Sequence, residues 1–434
     1  MNRTQASTWT GATLRHAAAA LIASVAALLV GQRAWAGDLG WGALAWLAIA
    51  TGGYAAARGG LAKGPRNIGD NLAKLALTIF GVIALLRHPI AIEGAATMPV
   101  YRAIAEHVRE VDPSTLLLFS LLAMLIKLLG VIASAFSWHL LLMGQRIRFP
   151  FWSMTLTSFL IGRFIGTFLP STLGLDGYTL YEASRYSNQW ARALAAKAVE
   201  KVIGIAGLFS GMVLTLPFGY QVLQDVASSL QRPQAAPILA TAILVIAGGV
   251  TATVLVGVLR PSLWNWVLET TSRWMPTPLR NRLANVVQAL DSYHGQSGLL
   301  LGALAAKFVT HFTTAVVYYF TALAIGVVGA RFWPIVFGST IQILATLLSP
   351  TIAGEGAREA FQALLLSNQL GGVAQAVLSA AIGFLAAEAA TLWGGAFLWL
   401  RTPSWRPGFA VVDECQVDFA WLEPNRADSP VGKA

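Results

Sequence analysis

The chain has 434 residues, of which 56% are hydrophobic and only 12% are charged, about half the charged fraction of an ordinary soluble domain. Its apolar runs are long enough to cross the roughly 30 Å hydrocarbon core of a bilayer. The formal net charge of +10 comes mostly from Lys and Arg clusters beside these runs, as the positive-inside rule predicts. Composition therefore predicts a polytopic membrane protein and argues against a nucleic-acid-binding protein. The single cysteine, Cys415, excludes an intrachain disulfide framework.

The N-terminal apolar run, residues 17–30, is followed by an Ala-Trp-Ala triplet before Gly37. This pattern fits a signal peptide with its cleavage site as well as it fits a first membrane span. We favour the span, because a second apolar run, residues 40–56, follows almost at once. The two runs predict an N-terminal extension over residues 1–70. The basic cluster between residues 58 and 74 then lies in the cytoplasm.

Six further apolar segments follow, so that about eight spans are predicted in all. They cover residues 75–86, 114–143, 198–218, 238–259, 299–328 and 372–400. Lys127 lies near the middle of the second of these segments and is expected to point into the helical bundle. Residues 71–400 form the predicted membrane domain, and residues 401–434 form a cytoplasmic tail. The predicted location is a bacterial-type inner membrane, with the basic clusters next to the spans on the cytoplasmic side.

Two stretches interrupt the apolar pattern in the same way, at residues 162–182 and 346–359. In each, an apolar segment reaches Pro, a small hydroxyl residue, Gly and then an acidic residue. The residues are Pro170, Ser171, Gly174 and Asp176 in the first stretch, and Pro350, Thr351, Gly354 and Glu355 in the second. Backbone broken in this way cannot face lipid and must line a protein cavity.

The positions of the basic clusters predict that each break belongs to a re-entrant helical hairpin, at about residues 151–190 and 333–370. The first hairpin enters from the cytoplasm and the second from outside, which makes them an inverted repeat, the usual architecture of secondary transporters. One mis-assigned span would turn this into a parallel repeat. The predicted fold class is therefore all-α integral membrane, with about eight transmembrane helices and two re-entrant hairpins.

The charged residues at the breaks have both structural and functional interpretations. Asp176 fits a helix N-cap, or a carboxylate in a polar cavity, or both. Glu355, Arg358 and Glu359 have i, i+3, i+4 spacing, which would place them on one helix face as an ion-paired group. Because charges at membrane depth are costly, this spacing also indicates a functional site.

Further charged and polar residues occur inside apolar runs. Arg163 is expected to pair with Asp176 or Glu200, or to reach the interface. The remaining buried-acid candidates are Glu200, beside Lys201, and Glu388. The residues expected to be structural partners or helix-end anchors are Lys127, Lys307, His139 and His311.

Several of these positions together resemble the lysylphosphatidylglycerol synthase transmembrane-region family, a flippase-type membrane domain found alone or fused to an aminoacyl-lipid synthetase. The matching residues of the first signature are Trp138, Gly162, Phe164, Leu169, Pro170, Gly174, Asp176, Glu200 and Lys201. Those of the second are Pro350, Gly354, Gly356, Arg358 and Glu359, followed by Gly394 and Gly395. The chain departs from the pattern at Leu175, where the family has a second Gly before the Asp, and at Lys201, where it has Arg. The resemblance covers about Leu72 to Leu400 and is to the stand-alone form, without the synthetase domain.

The resemblance implies a membrane domain that binds a polar lipid, such as a phospholipid, an aminoacyl-lipid or a polyprenyl-linked lipid, and moves it between leaflets. The expected substrate-binding residues are Arg163, Pro170, Ser171, Gly174, Asp176, Glu200, Lys201, Pro350, Thr351, Gly354, Glu355, Gly356, Arg358 and Glu359. Backbone N–H groups at the glycines suit a lipid phosphate, whereas the neighbouring carboxylates favour a zwitterionic or cationic lipid.

Two alternatives remain open. The first is a membrane transferase with Asp176, Glu200 or Glu359 as its general base, and the second is a non-transporting scaffold for a lipid-modifying complex. A lipid-modifying enzyme is the candidate protein partner. No Walker loop, H-E-x-x-H, G-x-S-x-G or C-x-x-C motif occurs, so we expect neither ATP-driven transport nor a catalytic residue, cofactor or metal.

Overall fold

The computed structural model describes residues 63–90, 97–168, 173–260, 287–349 and 351–401, with isolated positions before residue 63 and at 270 and 284. Within these ranges the chain is helical almost throughout. The exception is a two-stranded antiparallel ladder in which β1 (Pro89–Ile90) pairs with β2 (Met98–Pro99). The predicted N-terminal spans and the tail after residue 401 fall almost wholly outside the described residues.

From residue 63 onward, the structure describes three helices before the first hairpin: α1 (Lys63–Arg87), α2 (Val100–Glu110) and α3 (Pro113–Gly144). Helix α3 begins where its sequence carries two start signals. Pro113 takes the first helical position, where its missing N–H costs nothing. Asp112 is the N-cap, and its carboxylate accepts a 2.8 Å hydrogen bond from the backbone N–H of Thr115.

The first hairpin consists of α4 (Leu156–Phe168), which continues from a π-helical turn over Phe151–Thr155, and α5 (Leu173–Ser187). The two helices run antiparallel and approach closely at Gly166 and Gly174. A Cβ at Gly174 would overlap the backbone of Gly166, so this position of the first break needs glycine for close helix packing.

The middle of the bundle contains a long helix, α6 (Trp190–Ser229), and a span in which α7 (Ala235–Ile243) and α8 (Gly249–Leu259) are joined by a π-helical turn. After residues 261–286, α9 (Ser297–Ala324) returns through the bundle. Helix α6 continues past Pro217.

The second hairpin consists of α10 (Phe332–Leu348), a 3₁₀ turn (Ile352–Gly354) and α11 (Ala357–Leu370). The last span is divided into α12 (Val373–Ala389) and α13 (Trp393–Leu400). The structure thus describes helical hairpins at both predicted positions, while the prolines of the two breaks, Pro170 and Pro350, lie outside the described residues.

Helices α3 and α9 pack against each other along their length, α6 packs against α9 and α10, and α13 packs against α4. Glycines permit these close approaches. A Cβ at Gly207 of α6 would overlap the backbone of Lys307 on α9, and one at Gly394 of α13 would overlap the carbonyl of Leu160 on α4. Small residues at such contacts are typical of helix packing in membranes.

Five helical segments in the described ranges are long and apolar enough to cross a membrane. They are Pro113–Gly144, Trp190–Ser229, Ala235–Leu259, Ser297–Ala324 and Val373–Leu400. Each corresponds to one of the predicted spans. The predicted span at residues 75–86 lies within α1, which is not among the five. The chain is therefore an all-α, multi-pass membrane protein.

Candidate functional site

Glu200 of α6 lies at the centre of a buried group of charges, here called the Glu200 cluster. Its two carboxylate oxygens accept hydrogen bonds from the Nζ atoms of Lys197 and Lys307, each at 2.6 Å, and each of these three side chains is less than a tenth exposed. Lys197 also donates to Thr179 at 2.9 Å, and its Nζ lies 3.8 Å from the ring centroid of Trp138. The cluster therefore joins the first hairpin, through Thr179, to three long helices.

Asp176 belongs to the same cluster. Lys201 donates to its carboxylate, and Lys197 Nζ lies 3.9 Å from its Oδ1 atom. The prediction that Asp176 is an N-cap is wrong, because α5 begins at Leu173 and Asp176 lies in the first turn. The cluster brings together three of the predicted binding residues, Asp176, Glu200 and Lys201. Its three lysines exceed its two carboxylates by one positive charge.

A second group of polar residues, here called the Lys127 cluster, lies between α3, α4, α9 and α12. Lys127 is only 9% exposed, as predicted, and donates to the hydroxyl of Thr314 at 3.1 Å. The guanidinium of Arg163 lies 4.0 Å from the carboxylate of Glu388, which accepts a 2.5 Å hydrogen bond from Thr167. Arg163 thus faces Glu388 rather than Asp176 or Glu200, the two partners considered from sequence, and its side chain is partly exposed.

The two clusters are connected along the interface of α3 and α9. Lys307, His311 and Thr314 occupy one face of α9 at i, i+4 and i+7 spacing, and Thr314 accepts a hydrogen bond from Lys127 of α3. Lys307 donates to Ser134 of α3 at 2.8 Å. At 1.5 Å per residue, the seven residues from Lys307 to Thr314 extend about 10 Å. We call Lys307, His311, Thr314, Ser134 and Lys127 the polar track.

The charges of the second hairpin form a separate pair. Arg358 donates to the carboxylate of its neighbour Glu359, and the other oxygen of Glu359 accepts from the backbone N–H of Gly356 at 2.8 Å. The Arg358 guanidinium lies 4.2 Å from the ring centroid of Phe384. Because α11 begins at Ala357, Glu355 precedes the helix in an extended conformation. The prediction that Glu355, Arg358 and Glu359 share one helix face is therefore wrong.

Polar side chains that sequence reasoning missed lie in the core around this hairpin. Ser339, Gln342 and Gln362 are buried, and within the described ranges each has at least one side-chain polar atom without a hydrogen-bond partner. The Nε2 atom of Gln342 donates to Tyr318 at 3.4 Å. The presence of two glutamines in apolar helices is the signal that would have found this group.

A pocket of about 590 Å³ opens between α1 and the second hairpin. Apolar side chains such as Leu77, Leu344 and Phe361 form most of its wall, while Thr351 and Glu355 are polar lining residues at the break. Thr78 of α1 accepts a 2.8 Å hydrogen bond from the backbone N–H of Ile352. The pocket thus brings together Thr351, Glu355 and Gly356 of the predicted binding residues. Gly354 adopts a φ of +73°, which favours glycine.

Glu182, which sequence reasoning did not select, ties the first hairpin to the end of α13. It is fully buried and accepts hydrogen bonds from Ser158, from Tyr178 at 2.6 Å and from Arg401 at 3.1 Å. These three hydrogen bonds offset the cost of burying the carboxylate. Its position fixes the hairpin against the last span.

Together, the apolar helices, the helical hairpins and the charges buried between them define a polytopic membrane protein with a polar interior. The family described as the lysylphosphatidylglycerol synthase TM region matches residues 100–397, which is more than half of the chain, and the protein belongs to this family. The match includes both hairpins and begins later than the expected Leu72. Comparison with curated proteins and with solved structures finds no significant match.

Proposed function

We propose that this protein binds a polar lipid and translocates it between the leaflets of the membrane, with the headgroup following the polar track and the acyl chains remaining in the hydrocarbon. Membership of a lipid-synthase membrane family supports a lipid as the substrate. The observation that carries the proposal is the polar track itself, a line of ionisable and hydroxyl side chains between two helices that are apolar enough to span a membrane.

The cost of burying these charges supports a functional role. Taking an ion out of water costs several kcal/mol even after the protein relaxes, and ionisable residues within membrane helices commonly mark substrate pathways. Ion pairing offsets the cost for Lys307, which meets Glu200. Lys127, by contrast, donates its described hydrogen bond to a neutral group, the hydroxyl of Thr314. A purely structural role therefore accounts for the Glu200 cluster better than for the track as a whole.

The pocket at the second hairpin supports a ligand with both apolar and polar parts. Its volume of about 590 Å³ falls within the range of about 300 to 1,000 Å³ typical of ligand sites. The apolar wall suits acyl chains, and Thr351 and Glu355 provide polar contacts for a headgroup. We propose this pocket as a second site of lipid contact, distinct from the track.

The arrangement of helices supports an inverted repeat of re-entrant hairpins in a membrane domain over residues 71–400, which we place in a bacterial inner membrane. One hairpin follows α3 and the other follows α9, two helices that pack against each other, and each hairpin is followed by a further span. Cysteine labelling at residues 172 and 352, in a Cys415→Ser background, tests the topology. Labelling of both positions from the same side would show that the repeat is not inverted.

Translocation is tested with proteoliposomes that contain fluorescent phospholipids in both leaflets, using an external quencher that cannot cross the membrane. We expect the protein to bring inner-leaflet lipid to the quencher, and we expect Lys127→Met to slow this movement. Arg102→Gln is the matched control, because it removes one positive charge from an exposed position on α2. If no lipid moves and the protein instead forms product from a lipid-linked donor, the protein is a transferase and the proposal is wrong.

A further inference from the structure

Three side chains in the core of the second hairpin carry polar atoms that no described residue satisfies. Ser339 and Gln342 of α10 and Gln362 of α11 are each 0% exposed. Ser339 Oγ, Gln342 Oε1 and both terminal atoms of Gln362 have no hydrogen-bond partner among the described residues. Buried polar atoms are nearly always paired in native proteins, because leaving them unpaired is costly. The hairpin core therefore has unused capacity to bind a ligand.

The two glutamines lie opposite each other across the hairpin. A Cβ at Gly338 of α10 would overlap the side chain of Leu366 on α11, so these two positions face each other. Four residues closer to the break on each arm, which is about one helical turn, α10 reaches Gln342 and α11 reaches Gln362. Ser339 precedes Gln342 by three residues and so lies on the same side of α10. The unpartnered atoms therefore meet between the two arms.

The hydroxyl of Ser339 differs from the other helical hydroxyls of α10. Thr340 and Thr346 each donate a 2.8 Å hydrogen bond to the backbone carbonyl four residues earlier, as Ser and Thr inside helices commonly do. Ser339 makes no such bond among the described residues. Its hydroxyl is therefore available on the side of α10 that carries Gln342.

The unpartnered atoms require a ligand that both donates and accepts hydrogen bonds. The amide oxygens of Gln342 and Gln362 are acceptors, whereas Nε2 of Gln362 is a donor. A metal cation would satisfy the oxygens and leave the N–H groups unpaired, and an anion would do the reverse. The charged pair one turn away on α11, Arg358 with Glu359, is neutral overall and favours neither ion. Water donates and accepts, and in buried sites it makes about three hydrogen bonds.

We propose that Ser339, Gln342 and Gln362 form a binding site for internal water, in which a water molecule donates to the amide oxygens of both glutamines and so bridges α10 and α11. At this level the arms of the hairpin are joined through water instead of a direct side-chain bond. Gln342 also donates to the hydroxyl of Tyr318 on α9 at 3.4 Å, which brings a third helix to the site. This inference goes beyond the proposed function and does not depend on it.

The test is radiolytic footprinting of the purified full-length chain in a neutral detergent, read by mass spectrometry. A short X-ray pulse generates hydroxyl radicals from bound water in place, so a buried side chain beside internal water is oxidised without contact with bulk solvent. Tyr318 is the reporter. Tyr178 is the comparison, because it is equally buried at 6% exposure and its hydroxyl donates to Glu182. We expect Tyr318 to be oxidised at least about fivefold faster than Tyr178, since ordered water lies beside it.

Variants of the chain separate a water site from access of bulk solvent to Tyr318. The triple variant Ser339→Ala, Gln342→Leu, Gln362→Leu removes the polar groups and should reduce oxidation of Tyr318 to the level of Tyr178. Thr340→Val is the matched control and should leave oxidation of Tyr318 unchanged, because the buried hydroxyl that it removes is satisfied within its own helix. If the triple variant does not fold, the near-isosteric Gln362→Met replaces it, with the same expected decrease.

A stability measurement tests the bridge itself. If one water molecule joins the two glutamines, the effects of Gln342→Leu and Gln362→Leu on the folding equilibrium constant should differ from additivity by at least about threefold. Strict additivity would overturn the bridge. Oxidation of Tyr318 no faster than that of Tyr178 would overturn the whole inference, because it would show a dry hairpin core. Undiminished oxidation of Tyr318 in the folded triple variant, or in Gln362→Met, would overturn it as well, because the radicals would then come from bulk solvent.

Discussion

Removal of the Glu200 carboxylate is the sharpest test of how the buried charges stabilise the protein. In the folded state this one carboxylate accepts 2.6 Å hydrogen bonds from two lysines, both less than a tenth exposed. Glu200→Gln keeps the size and shape of the side chain and leaves both ammonium groups without their counter-ion. Breaking a buried ion pair from one side typically costs about 3 to 5 kcal/mol. We expect a loss in the free energy of unfolding in this range.

The cost should come from the ammonium groups left behind rather than from the loss of a favourable interaction. Lys197 keeps Thr179, the face of Trp138 and the more distant Asp176, whereas Lys307 keeps the hydroxyl of Ser134. Replacing all three charges with apolar side chains of similar volume should therefore recover most of the stability. Such replacements are often neutral or even stabilising, by about 1 to 4 kcal/mol.

The assay is reversible unfolding of the purified protein in mixed micelles, with the unfolded fraction followed as the denaturing detergent increases. The variants are Glu200→Gln and the triple variant Lys197→Met, Glu200→Leu, Lys307→Met. A change of less than about 1 kcal/mol in Glu200→Gln would refute the reasoning, because it would mean that water or another group already compensates the lysines. A triple variant as unstable as the single variant would refute it as well.

Three further predictions concern other parts of the chain. Glu182→Gln should lower the free energy of unfolding by about 1.5 to 3 kcal/mol, the usual worth of a hydrogen bond to a charged group, and should show energetic coupling to Arg401→Met in a double-mutant cycle. Hydrogen bonds from the Ser114 hydroxyl and from Thr115 lower the pKa of Asp112 from 3.8 to about 2. The ionised carboxylate therefore stabilises the folded state fully above pH 3.8, and this stabilisation is lost as the pH falls through 2. Amide exchange in the first turn of α3 should accordingly be faster in Asp112→Ala at pH 7, and the difference should disappear near pH 2. Gly354→Ala should destabilise the protein by about 1 to 3 kcal/mol, because the added Cβ would overlap Thr346 and the backbone has a φ of +73°. Gly177→Ala is the control, since the position on α5 has open space around it. In thermal unfolding this second variant should be about 0.5 to 1 kcal/mol more stable than the unchanged protein.

The positions of the helices followed closely from local sequence signals. The segment predicted at residues 114–143 is α3 (Pro113–Gly144), and the segment predicted at residues 238–259 is covered by α7 and α8. These predictions succeeded because apolar length, Pro and Gly act within a few residues of where they occur. The Pro-to-Gly breaks likewise marked the hairpin turns, although the structure does not describe the prolines themselves.

The partners of the charged residues could not be read from the sequence in the same way. Spacing suggested that Arg358 would pair along a shared helix face with Glu355, but the start of α11 excludes Glu355 from the helix. Arg163 meets Glu388, which follows it by more than two hundred residues. Lys307 was expected to be a structural partner, and the structure supplied the identity of that partner, Glu200.

The sequence by itself determined that this is a multi-pass helical membrane protein with two broken segments, because the bilayer imposes length and polarity on each segment independently. Tertiary structure alone decided which charges neutralise one another. Helical periodicity specifies the face on which a side chain lies, but the residue opposite it depends on how two helices pack and in which register. The polar track and the Lys127 cluster exist only because α3 and α9 pack with Lys127 beside Thr314 and Ser134 beside Lys307.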